Sequence, residues 1–165
     1  MTGDDDWTDW LARHGAALVL FARQWVPSYA DAEDVVQEAF VRFWRSRPQA
    51  DDPTAYLFAC VRSHALDWRR GQSRRARREA AAARPERTEP LFAPKLEQDE
   101  RRAALEAAVA VLPAEQREVL VLKIWGGLTF AQIADALGLS PNTAASRYRY
   151  ALAKLREQLT EAPTP

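Results

Sequence analysis

Apolar residues recur at three- and four-residue spacing along about Trp7–Trp25, Ala32–Arg45, Pro53–Arg70, Asp99–Val111 and Ala114–Trp125, and each stretch predicts an amphipathic helix. Nothing alternates apolar and polar residues as a half-buried strand would. Between Gly71 and Lys95 the pattern stops: Arg, Ala, Glu and Pro dominate, and Pro85, Pro90 and Pro94 forbid a long helix. The first part of this segment, through Ala83, can extend the preceding helix as a frayed continuation, because Ala and Arg are strong helix formers. The expected architecture is all-α, with two small helical domains at 1–75 and 99–160, a flexible linker at 76–98, a disordered tail at 161–165 and no internal repeat.

The segment from Thr129 to Leu155 predicts a helix-turn-helix. Thr129 and Gln132 form a capping box, Ile133, Ala134 and Leu137 fall on a core-facing stripe, and Gly138 ends the helix. Ser140 is a good N-cap and Pro141 suits the first helical position, where its missing N–H costs nothing. On the second helix Ala144, Tyr148, Ala151, Leu152 and Leu155 share one stripe. Asn142, Ser146, Arg149 and Tyr150 project the other way, with Arg147 at the edge. Between Pro141 and Arg156 the chain carries Arg147, Arg149, Lys154 and Arg156 and no acid, which suits a helix in a major groove beside phosphates. An ordinary helical hairpin with a solvated basic face is the plainer alternative.

Two stretches nearer the N-terminus carry further patterns. In Asp31–Trp44, Val36, Ala39, Phe40, Phe43 and Trp44 make an aromatic core stripe, while Asp34, Gln37 and Glu38 form an exposed acidic patch. That patch is either a solvated face or a docking site for a basic partner surface. In Tyr56–Arg70, aromatics alternate with arginines, the mixture that stacks on unpaired bases and neutralises phosphates. Tyr56, Phe58 and Trp68 fit a core or its rim equally well.

The 165 residues carry a net charge of +0 and are 47% hydrophobic, enough for one large or two small cores. The charge is uneven. Arg62, Arg69, Arg70, Arg74, Arg75, Arg77 and Arg78 face only Asp67, whereas the N-terminus opens with Asp4, Asp5, Asp6 and Asp9. No apolar run approaches the ~20 residues of a membrane span, and the acidic start lacks the features of a signal peptide, so the protein is expected in the cytosol, with no membrane insertion. Cys60, the sole cysteine, cannot form an intramolecular disulfide or a thiolate cluster and is expected as a small buried hydrophobe. His64 has no second ligand at metal-binding spacing, and His14 is distant. With no nucleophile–base pair, phosphate loop or metal cluster, the chain is expected to be no enzyme and to hold no metal or cofactor.

The whole chain resembles an RNA polymerase sigma factor of the extracytoplasmic-function group of the sigma-70 family. DAEDVVQEAFVRFW resembles the region that docks on the polymerase clamp coiled coil, AYLFACVRSHALDWRR the region that opens and reads the minus-ten element, and LPAEQREVLVLKIWGGLTFAQIADALGLSPNTAASRYRYALAKLRE the region whose helix-turn-helix reads the minus-thirty-five element. The resemblance implies that Asp34, Gln37 and Glu38 contact polymerase. It implies minus-ten DNA binding by Tyr56, Arg62, Ser63, Asp67, Arg69 and Arg70, with a flipped base captured by the loop Ser46–Asp52. It implies minus-thirty-five binding by Asn142, Thr143, Ser146, Arg147, Arg149 and Tyr150. The partners so implied are core RNA polymerase, promoter DNA and an anti-sigma factor, with a free protein that is monomeric. Three positions depart from the family: Ser63 where many members have Asn, Ala145 where many have Lys or Arg, and Tyr150 where Arg is frequent. A stand-alone dimeric helix-turn-helix regulator and a sigma-like decoy acting through protein contacts alone are the alternatives.

Overall fold

A computed structural model describes residues 4–46, 49–79, 88–93 and 99–161. These hold seven helices and form two compact units, 1–89 and 90–165.

The first unit is built from α1 (Asp4–Ala22), α2 (Tyr29–Ser46) and α3 (Pro53–Arg78). α1 stops short of Trp25, and Trp25 reaches the core from the following turn, edge-on to Phe21 at 5.0 Å. α2 begins before Ala32 because Ser28 caps it: the Asp31 amide donates to Ser28 Oγ, and that hydroxyl donates to Asp31 Oδ2 at 2.6 Å. Asp52 caps α3 by accepting from the Ala55 amide at 3.0 Å, with Pro53 next to it. The helix does not end at Arg70 but runs on to Arg78 as a regular continuation of the same rod.

Phe21, Phe43 and Phe58 are fully buried at the centre of this unit, with Leu18, Leu57 and Val61 around them. On α2 the buried residues are Ala32, Val35, Val36, Ala39 and Phe43. Trp44, expected inside, is 39% exposed and lies over the half-buried Phe40. The reason is helical phase: Ala32, Val36, Ala39 and Phe43 already fill the inward stripe, and Trp44 sits about 100° round from Phe43.

Part of the segment read as linker is held by each unit. The Glu89 amide donates to the Pro27 carbonyl at 2.8 Å, the Tyr29 amide donates to Glu89 Oε2, and the buried Arg23 donates to the Glu89 carbonyl at 2.6 Å. Arg23 also donates to the Val26 carbonyl and lies over the Tyr29 ring. Phe92 belongs to the second unit, where it packs on the core and against Trp125. Residues 80–87 and 94–98 of that segment lie outside the described residues.

The second unit comprises α4 (Glu100–Ala110), α5 (Ala114–Ile124), α6 (Phe130–Leu137) and α7 (Pro141–Glu161). Ala108, Val109, Leu112, Leu120, Ala151 and Leu155 form its core cluster. Arg117 donates to the last α4 carbonyl, Ala110 O, at 2.8 Å; burial lowers the pKa of this guanidinium, against the opposing pull of Glu118. Both bonds of the Thr129–Gln132 capping box are present, at 2.9 and 3.2 Å, and Gly138 adopts φ 68° at the end of α6. The Thr143 amide donates to Ser140 Oγ at 3.1 Å, so α7 starts where the sequence places it. Glu161, assigned to the tail, is the last residue of α7, and 162–165 lie outside the described residues.

The turn between α5 and α6 rests on Gly126, where a Cβ would stand 2.6 Å from the Leu122 carbonyl oxygen. Gly126→Ala is therefore expected to cost about 1–3 kcal/mol through overpacking, measured as a lower midpoint of chemical denaturation; an unchanged midpoint would mean the turn relaxes freely. Cys60 is 4% exposed, and burial pushes its thiol pKa up, opposed by a hydrogen bond with Tyr56 and by the Arg42 charge. A raised pKa leaves less thiolate at any given pH, so native Cys60 is expected to alkylate much more slowly at pH near 8 than the same residue in denaturant. Equal rates would show that the site is open.

Candidate nucleic-acid interface

Ala144 and Ala151 are fully buried, which brings the α7 backbone close to the core and sets the rotation of the helix. Asn142, Arg149 and Tyr150 are exposed, Tyr150 to 60%, and Ser146 is half-buried beside them. Arg149 reaches Ser146 Oγ at 3.4 Å and lies 5.9 Å from the Tyr150 ring centroid. These four side chains share one face. Tyr148 turns inward, edge-on to Phe130 at 5.6 Å, as the stripe required.

The other two candidates on α7 are engaged elsewhere. Thr143 Oγ1 lies 2.9 Å from Ser140 Oγ, so its hydroxyl belongs to the helix start. Arg147 is half-buried and swings toward α5, where its Nη2 lies 3.6 Å from Glu115 Oε2. Sequence reading missed Glu115. Nothing on α7 points to it, since the pair exists only because α5 and α7 pack together.

In the first unit, Asp34, Gln37 and Glu38 are all exposed on α2, opposite its buried stripe. Glu38 Oε2 lies 3.8 Å from Nδ1 of His64 on α3. The two helices frame an open depression of about 470 Å³ lined by Glu38, Val41, Arg42, Arg45, Ser46 and His64. Val41 and Trp44, at 52% and 39% exposed, add an apolar flank that periodicity alone did not assign to the surface.

On α3 the buried residues Ala55, Leu57, Phe58, Cys60, Val61 and Ala65 fix the inward face. Ser63, Asp67, Arg69 and Arg70 are exposed, and Arg70 pairs with Asp67 at 3.2 Å. Tyr56 and Arg62 are half-buried: Tyr56 leans on Phe43 at 6.2 Å, and Arg62 lies over the Trp25 ring at 5.8 Å. Of the aromatics in this helix, Phe58 is core and Trp68 is half-buried. In the loop from Ser46 to Asp52, Arg47 and Pro48 lie outside the described residues, and the Asp52 carboxylate is committed to the α3 cap. Among the described residues no three His, Cys, Asp or Glu side chains converge as a metal site, and no helix is long and apolar enough to cross a membrane.

Residues 10–75 match the sigma-70 region 2 family, and residues 102–155 match the sigma-70, region 4 family. Over 157 residues the chain is 35% identical to the ECF RNA polymerase sigma factor SigL of Mycobacterium tuberculosis, covering 90% of this chain and 85% of that protein. It is 33% identical over 146 residues to the RNA polymerase sigma-E factor of Streptomyces coelicolor, covering 87% and 80%. Among solved structures, the fold matches the sigma factor RpoE in its complex with the anti-sigma factor NepR from Bartonella quintana, with a TM-score of 0.72 at 22% identity over 96% of this chain and 99% of that one. CnrH in complex with the cytosolic domain of CnrY matches with a TM-score of 0.62 at 26% identity, over 98% and 92%.

The Arg147–Glu115 pair makes a measurable prediction. In Glu115→Gln the guanidinium is freed of its carboxylate partner, so the full chain is expected to bind duplex DNA more tightly, with a salt dependence steeper by about one unit of log K against log salt. Fluorescence anisotropy of a labelled duplex at several salt concentrations reads this. An unchanged slope would mean that Glu115 does not withhold Arg147 from phosphate.

Proposed function

The chain belongs to the extracytoplasmic-function group of sigma-70 family RNA polymerase sigma factors, and on that premise we propose which of its residues dock the polymerase, open the promoter and hold the upstream element. As a sigma factor it directs promoter-specific initiation of transcription. The observation that carries the division of labour is the pairing of one region match with each compact unit: region 2 with residues 10–75, region 4 with 102–155.

The α2 face of Asp34, Gln37 and Glu38 docks core polymerase. Its acids suit a basic partner surface, and the neighbouring Val41 and Trp44 supply apolar area that contributes more to affinity than rim charges do. The exposed Ser63, Asp67, Arg69 and Arg70 of α3, with the half-buried Tyr56 and Arg62, read and melt the minus-ten element, and the loop from Ser46 to Asp52 receives a flipped base. A base held out of the stack offsets an unstacking cost of about a few kcal/mol, so strand opening needs no ATP.

In the C-terminal unit Asn142, Ser146, Arg149 and Tyr150 meet the minus-thirty-five element directly. Arg147 reaches it from the flank, and Thr143 supports the start of the helix. Tyr150 replaces a point charge with a ring and a hydroxyl, and Ala145 and Ser63 shorten polar reach, so the preferred promoter differs from those of relatives that carry Arg or Asn there. Residues 1–75 and 99–160 serve as the two binding domains, with the intervening segment as tether. Nucleotide addition is the work of the core enzyme, and this chain works beside it in the cytosol without a catalytic group or cofactor of its own. A separate anti-sigma factor holds it inactive by covering these faces; two structural relatives were solved in complex with a partner protein, named an anti-sigma factor in one of them.

Runoff transcription with core polymerase, on the DNA upstream of the protein's own gene, tests the assignment. The wild type is expected to initiate, and the joint Asp34→Ala, Gln37→Ala and Glu38→Ala variant to lose roughly 30-fold or more in activity, about 2 kcal/mol of docking energy. Full activity of that variant would move the docking face elsewhere. A dimer that footprints a palindrome without polymerase would overturn the reading as a whole.

A further inference from the structure

We propose that Glu89 closes a clasp on the first unit, that the clasp shortens the tether to the second unit, and that it opens when the chain engages both promoter elements. The inference rests on the reading of the two units as the minus-ten and minus-thirty-five domains, and deepens it by asking how one chain brings both to DNA.

The backbone amide, backbone carbonyl and carboxylate of Glu89 are all engaged by the turn between α1 and α2. The amide donates to the Pro27 carbonyl at 2.8 Å, the carbonyl accepts from Arg23 Nη2 at 2.6 Å, and Oε2 accepts from the Tyr29 amide at 2.9 Å. The receiving turn has supports of its own. Arg23 is buried, donates to the Val26 carbonyl and lies over the Tyr29 ring, so its guanidinium is held within the first unit. A buried guanidinium needs acceptors for its donors, and the Glu89 carbonyl supplies one. Tyr29 is the first residue of α2, where amides lack partners within the helix and the dipole favours negative charge. An acidic side chain suits that place.

Shortly after Glu89, Phe92 packs on the core of the second unit and against Trp125 at 5.5 Å. With Glu89 held on one unit and Phe92 on the other, only Pro90 and Leu91 are left as tether. From Glu89 to Phe92 the extended chain covers about 10 Å, whereas with Glu89 released the stretch from Glu79 to Phe92 covers up to about 45 Å. Elements named for positions minus ten and minus thirty-five lie about 25 base pairs apart, roughly 85 Å of B-DNA. A tether too short for two sites forbids their joint use. The open form supplies the longer reach. Nothing in the clasp prevents its opening: Glu89 is exposed, so water replaces its hydrogen bonds at modest net cost, and closing the chain between Glu79 and Glu89 consumes loop entropy.

The test locks the clasp. Pro27→Cys with Glu89→Cys puts a cysteine on each side of the backbone hydrogen bond, and oxidation ties the two together, while the native Cys60 stays buried. Holoenzyme is assembled from the full chain, oxidised or reduced, and core polymerase on a promoter that carries both elements. The oxidised chain is expected to bind core polymerase as the reduced one does but to initiate about tenfold less, and reductant is expected to restore initiation to at least the wild-type level. Each single cysteine variant is expected to ignore reductant. Equal initiation by the oxidised and reduced double variant would overturn the clasp. Hydrogen exchange reads the same device in the unaltered chain: the Glu89 amide is expected to exchange slowly in the free protein, faster in free Glu89→Ala, and faster again in wild-type holoenzyme on the promoter. Equal protection in the free and promoter-bound wild type would overturn the clasp as well, whatever the cysteine variants do. A wild type that fails to initiate overturns the sigma reading; an active wild type beside an oxidised variant of equal activity overturns the clasp alone.

Discussion

Phe21 and Phe58 meet edge to face at 5.6 Å in the N-terminal unit while Phe43 leans on Tyr56 at 6.2 Å, and these ring contacts, which tie α1 and α2 to α3, govern what the unit can present. Large rings packed at interior density leave each helix little freedom to rotate. Once the rings of α1, α2 and α3 face one another, the opposite stripes are set without further instruction. Asp34, Gln37 and Glu38 come out on α2, and Ser63, Asp67 and Arg70 come out on α3. The two faces proposed to dock polymerase and to meet the minus-ten element are the outer sides of one aromatic core.

The C-terminal unit reaches the same end by a different device. It relies on small residues and on chain reversals that favour glycine. Ala144 and Ala151 let α7 lie close to its neighbours, Gly126 admits the Leu122 carbonyl where a side chain would collide, and Gly138 takes the left-handed conformation that ends α6. Capping bonds at Thr129 and Ser140 then set the start of each helix of the pair to a single residue. The exposed face of α7 inherits its orientation from these constraints.

Charge follows a common rule in both units. Arg70 rests on Asp67, and Arg147 on Glu115, in exposed or half-exposed ion pairs that contribute little to stability. Such pairs hold a guanidinium in place and compete with a phosphate for it. On the proposed reading, two binding surfaces on one chain gain affinity by acting together on DNA held by polymerase. The net charge of +0 conceals an uneven distribution: between Arg62 and Arg78 seven arginines face the single acid Asp67.

The helix-turn-helix was legible down to single residues, because its signals are local: a capping box, a left-handed glycine and a proline at the first helical position all act within a few residues. The division into two helical units and the family were legible too, through periodicity and three motifs in order. Tertiary structure decided what depends on contacts distant in sequence. It put Trp44 outside, since the inward stripe of α2 was already filled, and it tied Glu89 to Arg23 and Tyr29 across a stretch with no periodicity to read. It paired Arg147 with Glu115, since only the packing of α5 on α7 brings the two together. The run of α3 on to Arg78 is a local effect instead, helix propensity with no core beneath it, where the sequence reading allowed a frayed end. Local chemistry is written along the chain, whereas the partner of a side chain is set by which helices pack and at what rotation.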